Sequence, residues 1–178
     1  GASVLIADVK DDAGKAVAGS IGSAASFFHA DVSKSADCLA MVAEAERKFG
    51  GLDVLHANAG VEVDKILTDT TDEEWDRVIG VNLKGVFFCC RAAIPALRKR
   101  GGGAIVITAS VNGFTTEPKL AAYCASKGGA IMLPKTIAID YAADGIRANA
   151  LCPGWVGTPM TEAFFADPEK KRHWSGVQ

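Results

Sequence analysis

The feature of this sequence that most constrains its fold is a regular alternation of short apolar segments with longer segments of helical periodicity. Five apolar runs of strand length read SVLIAD (3–8), AASFFHADV (24–32), LDVLHANAG (52–60), GGGAIVITAS (101–110) and IRANALCPG (146–154). Strands that are apolar at nearly every position are typical of parallel sheets covered on both faces. The pattern therefore predicts an α/β fold, a Rossmann-like doubly wound parallel sheet with helices on both faces.

Four stretches with helical periodicity separate the strands, and they lie at residues 11–21, 34–50, 73–100 and 120–145. Thr71 and Glu74 have the spacing of a capping box just before the third of these helices. Asn82 lies inside that helix although asparagine is a poor helix former, and a local rule broken in this way often marks a functional site. The 178 residues contain no repeat and no linker, so a single domain is expected.

Composition indicates a soluble globular protein. Charged residues make up 22% of the chain and the net charge is −2, which favours neither a nucleic-acid partner nor an anionic membrane surface. No continuous apolar run reaches the ~18 residues of a membrane span, and no secretory signal is visible. Cysteines and histidines show neither C-x-x-C pairs nor metal-ligand spacing. We therefore expect a cytoplasmic protein with reduced thiols and no metal site. The residues concerned are Cys38, Cys89, Cys90, Cys124, Cys152, His29, His56 and His173.

Polar and turn residues stand at the carboxyl ends of the predicted strands, where ligands of doubly wound sheets bind. These residues are Asp8, Asp31, Asn58, Ser110 and Pro153. Ser110 has an ordinary alternative interpretation as a serine that begins a turn, and Asn82 has one as a surface asparagine.

Tyr123 and Lys127 are four residues apart in the last predicted helix, so they share one face of it. An ammonium ~4 Å from a phenolate, at an effective dielectric constant of about 20, contributes about 4 kcal/mol. That energy corresponds to a pKa lowered by ~3 units. The pair could therefore serve as an acid and base at neutral pH. The ordinary alternative is a packed tyrosine beside an exposed lysine.

The ordered set of motifs resembles the short-chain dehydrogenase/reductase family. The motifs are NAG (58–60), VNLKG (81–85), ITAS (107–110), YCASK (123–127) and IRANALCPG (146–154), and the resemblance runs from VLIAD to PGWVGTP. It implies an NAD(P)-dependent oxidoreductase that interconverts a secondary alcohol and a ketone by hydride transfer. It also implies four catalytic residues. Tyr123 exchanges a proton with the substrate, Ser110 binds the same oxygen, Lys127 holds the nicotinamide ribose and lowers the tyrosine pKa, and Asn82 anchors a relay water.

The resemblance implies a set of cofactor-binding positions as well. A carboxylate at Asp8 would accept hydrogen bonds from the adenosine ribose and repel a 2′-phosphate, so NAD is favoured over NADP. Lys10 weakens that preference. The remaining positions are Asp31 and Val32 at the adenine, Asn58, Ala59 and Gly60 along the cofactor, Tyr123 and Lys127 at the ribose, and Pro153, Gly154, Val156 and Thr158 around the nicotinamide amide.

A glycine-rich phosphate loop, which would follow a strand and open a helix, is not found in the sequence. The resemblance places that loop before residue 1, together with a first strand and helix. We therefore expect a single Rossmann-type domain over 1–178, truncated at both ends, with a gap between the strands at 3–8 and 52–57. Such a fragment is expected to be weakly active or inactive by itself. The alternative is a truncated, non-catalytic relative that acts as an interaction module or has no function.

The two long helices, at 73–100 and 120–143, are apolar nearly all round, so more than one face of each must be buried. Relatives pair these helices about a two-fold axis, and the resemblance thus implies a homodimer or homotetramer with Phe88 and Ile137 at the interface. The alternative is a thicker monomeric core. Three positions depart from the family pattern. His56 and Ala57, before NAG, are expected to loosen a local hydrogen bond without removing activity, and Pro134 lies inside the last helix.

Overall fold

Strands and helices alternate along the chain in the predicted order in the computed structural model, which describes residues 1–158, 161, 162 and 166. The strands are β1 Val4–Asp8, β2 Ala25–His29, β3 Val54–Ala57, β4 Gly103–Thr108 and β5 Ile146–Leu151. The α-helices are α1 Asp11–Ile21, α2 Ser35–Phe49, α3 Asp72–Ile79, α4 Val86–Lys99 and α5 Ala121–Asp140. His173 and most of the tail after Thr158 lie outside the described residues.

All observed strand pairs are parallel, which confirms the predicted sheet type, but the strands form two separate groups. β1 pairs with β2, with Asp8 opposite His29. β4 pairs with β3 on one side and with β5 on the other, with Ile107 opposite Ala57. Among the described residues no ladder joins β1 to β3, so the gap expected between these strands is present.

A cavity of about 740 Å³ occupies the gap between the two half-sheets. The free edges of β1 and β3 line it, together with residues of α2 and α4 that include Met41, Val42 and Cys89. Unpaired edge strands expose a row of backbone donors and acceptors. The two halves of the molecule are therefore held together by helix packing, because α2 and α4 lie against each other across the gap.

Helices cover both faces of the first half-sheet, as predicted. Phe27 of β2 packs against Gly14 of α1, where a Cβ atom would overlap the aromatic ring. The neighbouring Phe28 points to the opposite face, since adjacent strand residues alternate, and there it packs against the hydrophobic core.

The second half-sheet buries one face and exposes the other in the described part of the chain. Leu55, Ile107 and Ala148 belong to the buried set, whereas Val54 and Arg147 are exposed. In this half the predicted cover on both faces is thus observed on one face.

The long helix predicted over 73–100 is two helices joined by a turn of π-helix, Gly80–Gly85. Its start is confirmed as a capping box: the Thr71 hydroxyl accepts from the Glu74 amide at 3.2 Å, and the Glu74 carboxylate accepts from the Thr71 amide at 3.1 Å. The last helix ends at Asp140, five residues earlier than predicted, and Pro134 within it is buried. A 3₁₀ turn and Gly145 in a left-handed conformation, φ 71°, follow.

Together, Asp72–Lys99 form a helical segment of 28 residues whose most apolar window has a mean hydropathy of 1.4. By length and composition this segment could cross a membrane, although no single apolar run in the sequence suggested it. Half of that window is buried inside the protein, as in the core helix of a soluble domain. The expectation that the protein has no membrane partner stays a prediction.

Candidate active site

Ser110 and Tyr123 come together where the end of β4 meets the start of α5. Ser110 follows β4 and opens a short 3₁₀ turn, Val111–Gly113, in which its hydroxyl accepts from the Asn112 amide at 3.1 Å. Gly113 lets this turn lie directly on α5, because a Cβ there would stand 2.8 Å from the Lys127 carbonyl oxygen and overlap Ile131. Ser110 lies close enough to the Tyr123 hydroxyl to offset part of the rise that burial causes in the tyrosine pKa. The predicted association of these two residues is therefore observed.

Lys127 lies one helical turn beyond Tyr123 and is only 3% exposed. Its ammonium donates to the Thr108 carbonyl oxygen at 2.7 Å and lies 5.4 Å from the centre of the Tyr123 ring. Burial disfavours the charged form, and it lowers the pKa of Lys127 to about 8. The lysine thus links α5 to the end of β4, and burial of its charge has an electrostatic cost.

Burial raises the pKa of Tyr123 above its ordinary value, and this effect outweighs that of Ser110. The negative charges of Glu62 and Glu117 raise the pKa further. The net lowering of the tyrosine pKa that was expected from Lys127 is not found among the described residues. The reason is that desolvation of the phenolate is the largest contribution, and the nearby carboxylates act in the same direction.

Both the oxygen and the nitrogen of the Asn82 side-chain amide form hydrogen bonds within the protein. Its carbonyl oxygen accepts from the Val61 amide at 2.8 Å, and its amino group donates to the Val61 carbonyl at 2.8 Å and to the Ser126 hydroxyl at 3.1 Å. Ser126 in turn donates to the Tyr123 carbonyl at 2.7 Å. Asn82 lies in the π-helical turn, a feature often found at functional sites, and it fastens the loop after β3 to the helix of Tyr123.

Thr108, which sequence reasoning did not single out, connects the ends of β3 and β4. Its hydroxyl donates to Asn58 Oδ1 at 2.8 Å and lies 2.9 Å from His56 Nε2. Because the single hydroxyl hydrogen is donated to Asn58, His56 must donate from Nε2. The expected loosening near His56 is not found, since His56 adds a bond there. The only signal in the sequence was the position of Thr108 at a strand's end.

The predicted adenosine positions lie at the carboxyl edge of the other half-sheet. Asp8 is exposed at the end of β1, and one carboxylate oxygen accepts from the Lys10 amide at 2.9 Å. Asp31 accepts from the Ser33 amide and hydroxyl, and these hydrogen bonds lower the pKa of Asp31. Val32 packs against the core beside Gly85.

The predicted nicotinamide positions follow β5. The Pro153 carbonyl accepts from the Val111 amide at 3.1 Å, which places Pro153 next to the turn of Ser110. Gly60 lies near Asn82 and Lys127, because a Cβ there would be 3.6 Å from both Asn82 Oδ1 and Lys127 Nζ. The rest of the predicted set, Ala59, Gly154, Val156 and Thr158, is exposed.

The five cysteines are free thiols, but they do not share one environment. Cys38, Cys89 and Cys90 are buried, and burial raises the pKa of Cys90 to about 12. Cys124 and Cys152 are half-buried, and Cys152 packs against the hydrophobic core.

The sequence matches the protein family described as short chain dehydrogenase over residues 1–169. It is 42% identical to 2-(R)-hydroxypropyl-CoM dehydrogenase of Xanthobacter autotrophicus over 143 residues, which cover 79% of this chain and 57% of the relative. It is 40% identical to meso-2,3-butanediol dehydrogenase of Serratia marcescens over 165 residues, which cover 92% of this chain and 65% of the relative. The chain thus spans less than two thirds of the length of these curated relatives.

Solved structures show the same fold. A gluconate 5-dehydrogenase from Burkholderia cenocepacia, in complex with NADP and tartrate, superposes with a TM-score of 0.89 at 32% sequence identity. The alignment covers 96% of this chain and 68% of that protein. The crystal structure of gox2181 gives a TM-score of 0.91 at 29% identity, over 99% of this chain and 71% of the other.

The buried Lys127 predicts a pH-dependent stability. Its folded-state pKa of about 8 lies below the ordinary value of 10.5, so between these pH values the unfolded chain binds more protons and stability rises with pH. Compared with Lys127→Met, the wild-type chain should therefore gain up to about 3 kcal/mol in unfolding free energy from pH 8 to pH 10.5. Urea denaturation of both proteins across this range measures the difference. A difference that stays constant with pH would show that the ammonium is not desolvated.

Proposed function

Because the chain belongs to the short-chain dehydrogenase family, we propose that the whole protein, of which these 178 residues are all or part, interconverts a secondary alcohol and a ketone with a nicotinamide cofactor. The observation that carries the proposal is the convergence of Ser110, Tyr123 and Lys127 at the end of β4. The relatives reported above are dehydrogenases by name, which supports the same reaction type.

The donors and acceptors at the carboxyl edge fit a nicotinamide dinucleotide. At one end, the Asp8 carboxylate offers an acceptor suited to ribose hydroxyls. At the other end, Lys127 and Tyr123 offer an ammonium and a phenol within one helical turn. We propose that Asp31 and Val32 border the adenine, that Asn58, Ala59 and Gly60 lie along the cofactor, and that Pro153, Gly154, Val156 and Thr158 surround the amide. When bound, the nicotinamide would supply or accept the hydride.

The chain's own residues handle the proton and the substrate oxygen. The Tyr123 hydroxyl donates its proton to the oxygen of a ketone, and in the reverse direction the deprotonated Tyr123 phenolate accepts the proton of an alcohol. Its raised pKa keeps the phenol protonated at neutral pH, which suits donation. The Ser110 hydroxyl donates a hydrogen bond to the same oxygen. Lys127 holds the ribose, and Asn82 keeps the loop after β3 in place and provides an acceptor for a relay water.

We propose NAD rather than NADP as the cofactor, and a cytoplasmic location. The support for NAD is Asp8, whose negative charge at the end of β1 would repel a 2′-phosphate. The NADP found in the gluconate 5-dehydrogenase structure belongs to that protein.

We also propose a homodimer or homotetramer formed through α4 and α5. The residues first expected at the interface are not suitable for it, because Ile137 is 5% exposed in the core and Phe88 packs against that core. The exposed apolar side chains of these helices are instead Phe87, Met132 and Ile139. They give the two helices an apolar surface that a second copy could cover.

Replacing Tyr123 by Phe in the whole protein tests the catalytic role. Loss of the proton donor should lower turnover by ~10²–10⁴-fold, while the dissociation constant for NAD stays within a few-fold of wild type. Steady-state kinetics and cofactor titration measure the two effects. Tyr141→Phe, at the chain's other tyrosine, is the control and should keep full activity. Near-normal turnover of the Tyr123 variant would contradict the assignment, whereas a folded wild-type protein without turnover would favour the non-catalytic alternative.

Replacing Asp8 by Ala tests the choice of cofactor. Without the repelling carboxylate, the preference for NAD over NADP in kcat/KM should shrink by about tenfold, equivalent to about 1.4 kcal/mol. Asp12→Ala, an exposed carboxylate on α1, should leave the ratio unchanged. A wild-type protein that already prefers NADP would refute the role of Asp8 and point to Lys10.

Charged substitutions on the exposed face of α5 test the assembly. The double variant Met132→Lys, Ile139→Lys places two charges where the side chains are 58% and 79% exposed, so folding should be preserved. Sedimentation at micromolar concentration should show the wild-type protein as a dimer or tetramer and the variant as a smaller species. Val17→Lys, on the exposed side of α1, is the control. A wild-type monomer, or an assembly that the double variant leaves intact, would exclude this interface.

A further inference from the structure

His56 lies near the end of β3, and its imidazole forms a hydrogen bond across the sheet to the neighbouring strand. Its Nε2 lies 2.9 Å from the Thr108 hydroxyl oxygen, and that hydroxyl donates to Asn58 Oδ1 at 2.8 Å. Because a hydroxyl carries a single hydrogen, Nε2 must be the donor in the first of these bonds. The three side chains therefore form a chain of hydrogen bonds with one direction, from His56 through Thr108 to Asn58.

The backbone that carries this chain of hydrogen bonds is held by the sheet, so the freedom that remains lies in the side chains. His56 stands opposite Val106 in the ladder between β3 and β4, and Thr108 stands opposite Leu151 in the ladder between β4 and β5. A hydroxyl hydrogen, in contrast, rotates to suit its partners. An asparagine amide offers an acceptor at one end and two donors at the other, so turning it over exchanges them.

The amino group of Asn58 is the free end of this chain of hydrogen bonds. Since Oδ1 is bound to Thr108, the amino group lies on the side of the amide away from that hydroxyl, and it makes no hydrogen bond to any described residue. Asn58 and His56 line the cavity of about 740 Å³ between the half-sheets, and Asp8 lines it too. The amide thus offers two N–H donors to a ligand at the carboxyl edge of the sheet.

Without a donor at His56, the Thr108 hydroxyl would have two arrangements open to it. It can donate to Asn58 Oδ1, as observed, or it can accept from the Asn58 amino group, because a hydroxyl does both. In the second arrangement the amide is turned over and presents its oxygen outward. The ribose and phosphate oxygens of a dinucleotide would then meet an acceptor in place of a donor.

We propose that His56 is a positioning residue for the cofactor. By donating to Thr108, it keeps the Asn58 amide in the orientation that offers its N–H groups to an oxygen of the nicotinamide dinucleotide. His56 acts through Asn58, so its removal weakens cofactor binding and leaves proton transfer at Tyr123 unaffected. This assignment rests on the proposed oxidoreductase function and adds to it a residue that sets how the cofactor is held.

Three substitutions of the exposed His56 test this role in the whole protein. Calorimetric titration measures the dissociation constant of the preferred dinucleotide, NAD or NADP. His56→Leu removes the donor and should weaken binding about three- to tenfold, the effect of one neutral hydrogen bond. His56→Gln places an amide nitrogen close to the position of Nε2 and should stay within twofold of wild type. His56→Asn is one methylene shorter, so its nitrogen does not reach Thr108, and it should bind as weakly as His56→Leu. In steady-state kinetics, KM for the dinucleotide should follow the same order while kcat changes by less than twofold.

A double-mutant cycle separates this role from a general effect on the sheet. In an Asn58→Ala background, His56→Leu should change the dissociation constant by less than twofold, because the residue through which His56 acts is gone. Val54→Ala is the control, since it shortens an exposed side chain on the same face of β3. This variant should bind the dinucleotide as the wild-type protein does.

The outcomes distinguish this role from the proposed function. Unchanged binding in His56→Leu, equal binding by His56→Asn and His56→Gln, or a full further loss in the Asn58→Ala background would each overturn the role of His56. A wild-type protein that oxidises a secondary alcohol would still support the oxidoreductase function in all three cases. A folded wild-type protein that binds neither NAD nor NADP would overturn the proposed function, and this proposal with it.

Discussion

The buried amide of Asn82 is the constraint on which the arrangement of the candidate site depends. Its oxygen and nitrogen bind both backbone groups of Val61 and the hydroxyl of Ser126, so three separate segments meet at one side chain that is 1% exposed. An unmatched buried amide would carry a substantial free-energy penalty. The helix accommodates the residue in a π-helical turn at Gly80–Gly85. The side chain of this poor helix former therefore holds the loop after β3 against the helix of Tyr123.

The sequence predicts the parts of this fold that follow from periodicity. The strands were recognisable because nearly every position in them is apolar, but their ends were placed too far out. The predicted strand 24–32 stops at His29, since Ala30 and Val32 pack into the core from a loop. Ile137 and Ile139 could not be distinguished, because a helix that is apolar all round gives no sign of which face meets the sheet. The structure buries the first and exposes the second at 79%.

Sequence spacing was enough to predict which residues come together in the candidate site. It was not enough to predict properties that depend on burial. Tyr123 and Lys127 share a helix face because they are four residues apart, and Ser110 reaches them from a strand's end. The direction of the Tyr123 pKa required the structure, because desolvation and the carboxylates of Glu62 and Glu117 dominate it. The role of Thr108 could not be predicted from the sequence either, because it arises from three hydrogen bonds to residues that are distant in the sequence.

The division of the sheet determines how the two ends of the proposed cofactor site are joined. The β1–α1–β2 unit is built from contacts close in sequence, and it meets the remaining core through α2 and side chains such as Phe28. The β3–β4–β5 unit carries Ser110, Thr108 and the helix of Tyr123. Within the described residues no ladder joins the two units, so side-chain packing of α2 against α4 fixes their relative position. Because Asp8 lies in one unit and Tyr123 in the other, that packing sets the spacing between the adenosine end and the nicotinamide end of the proposed cofactor site.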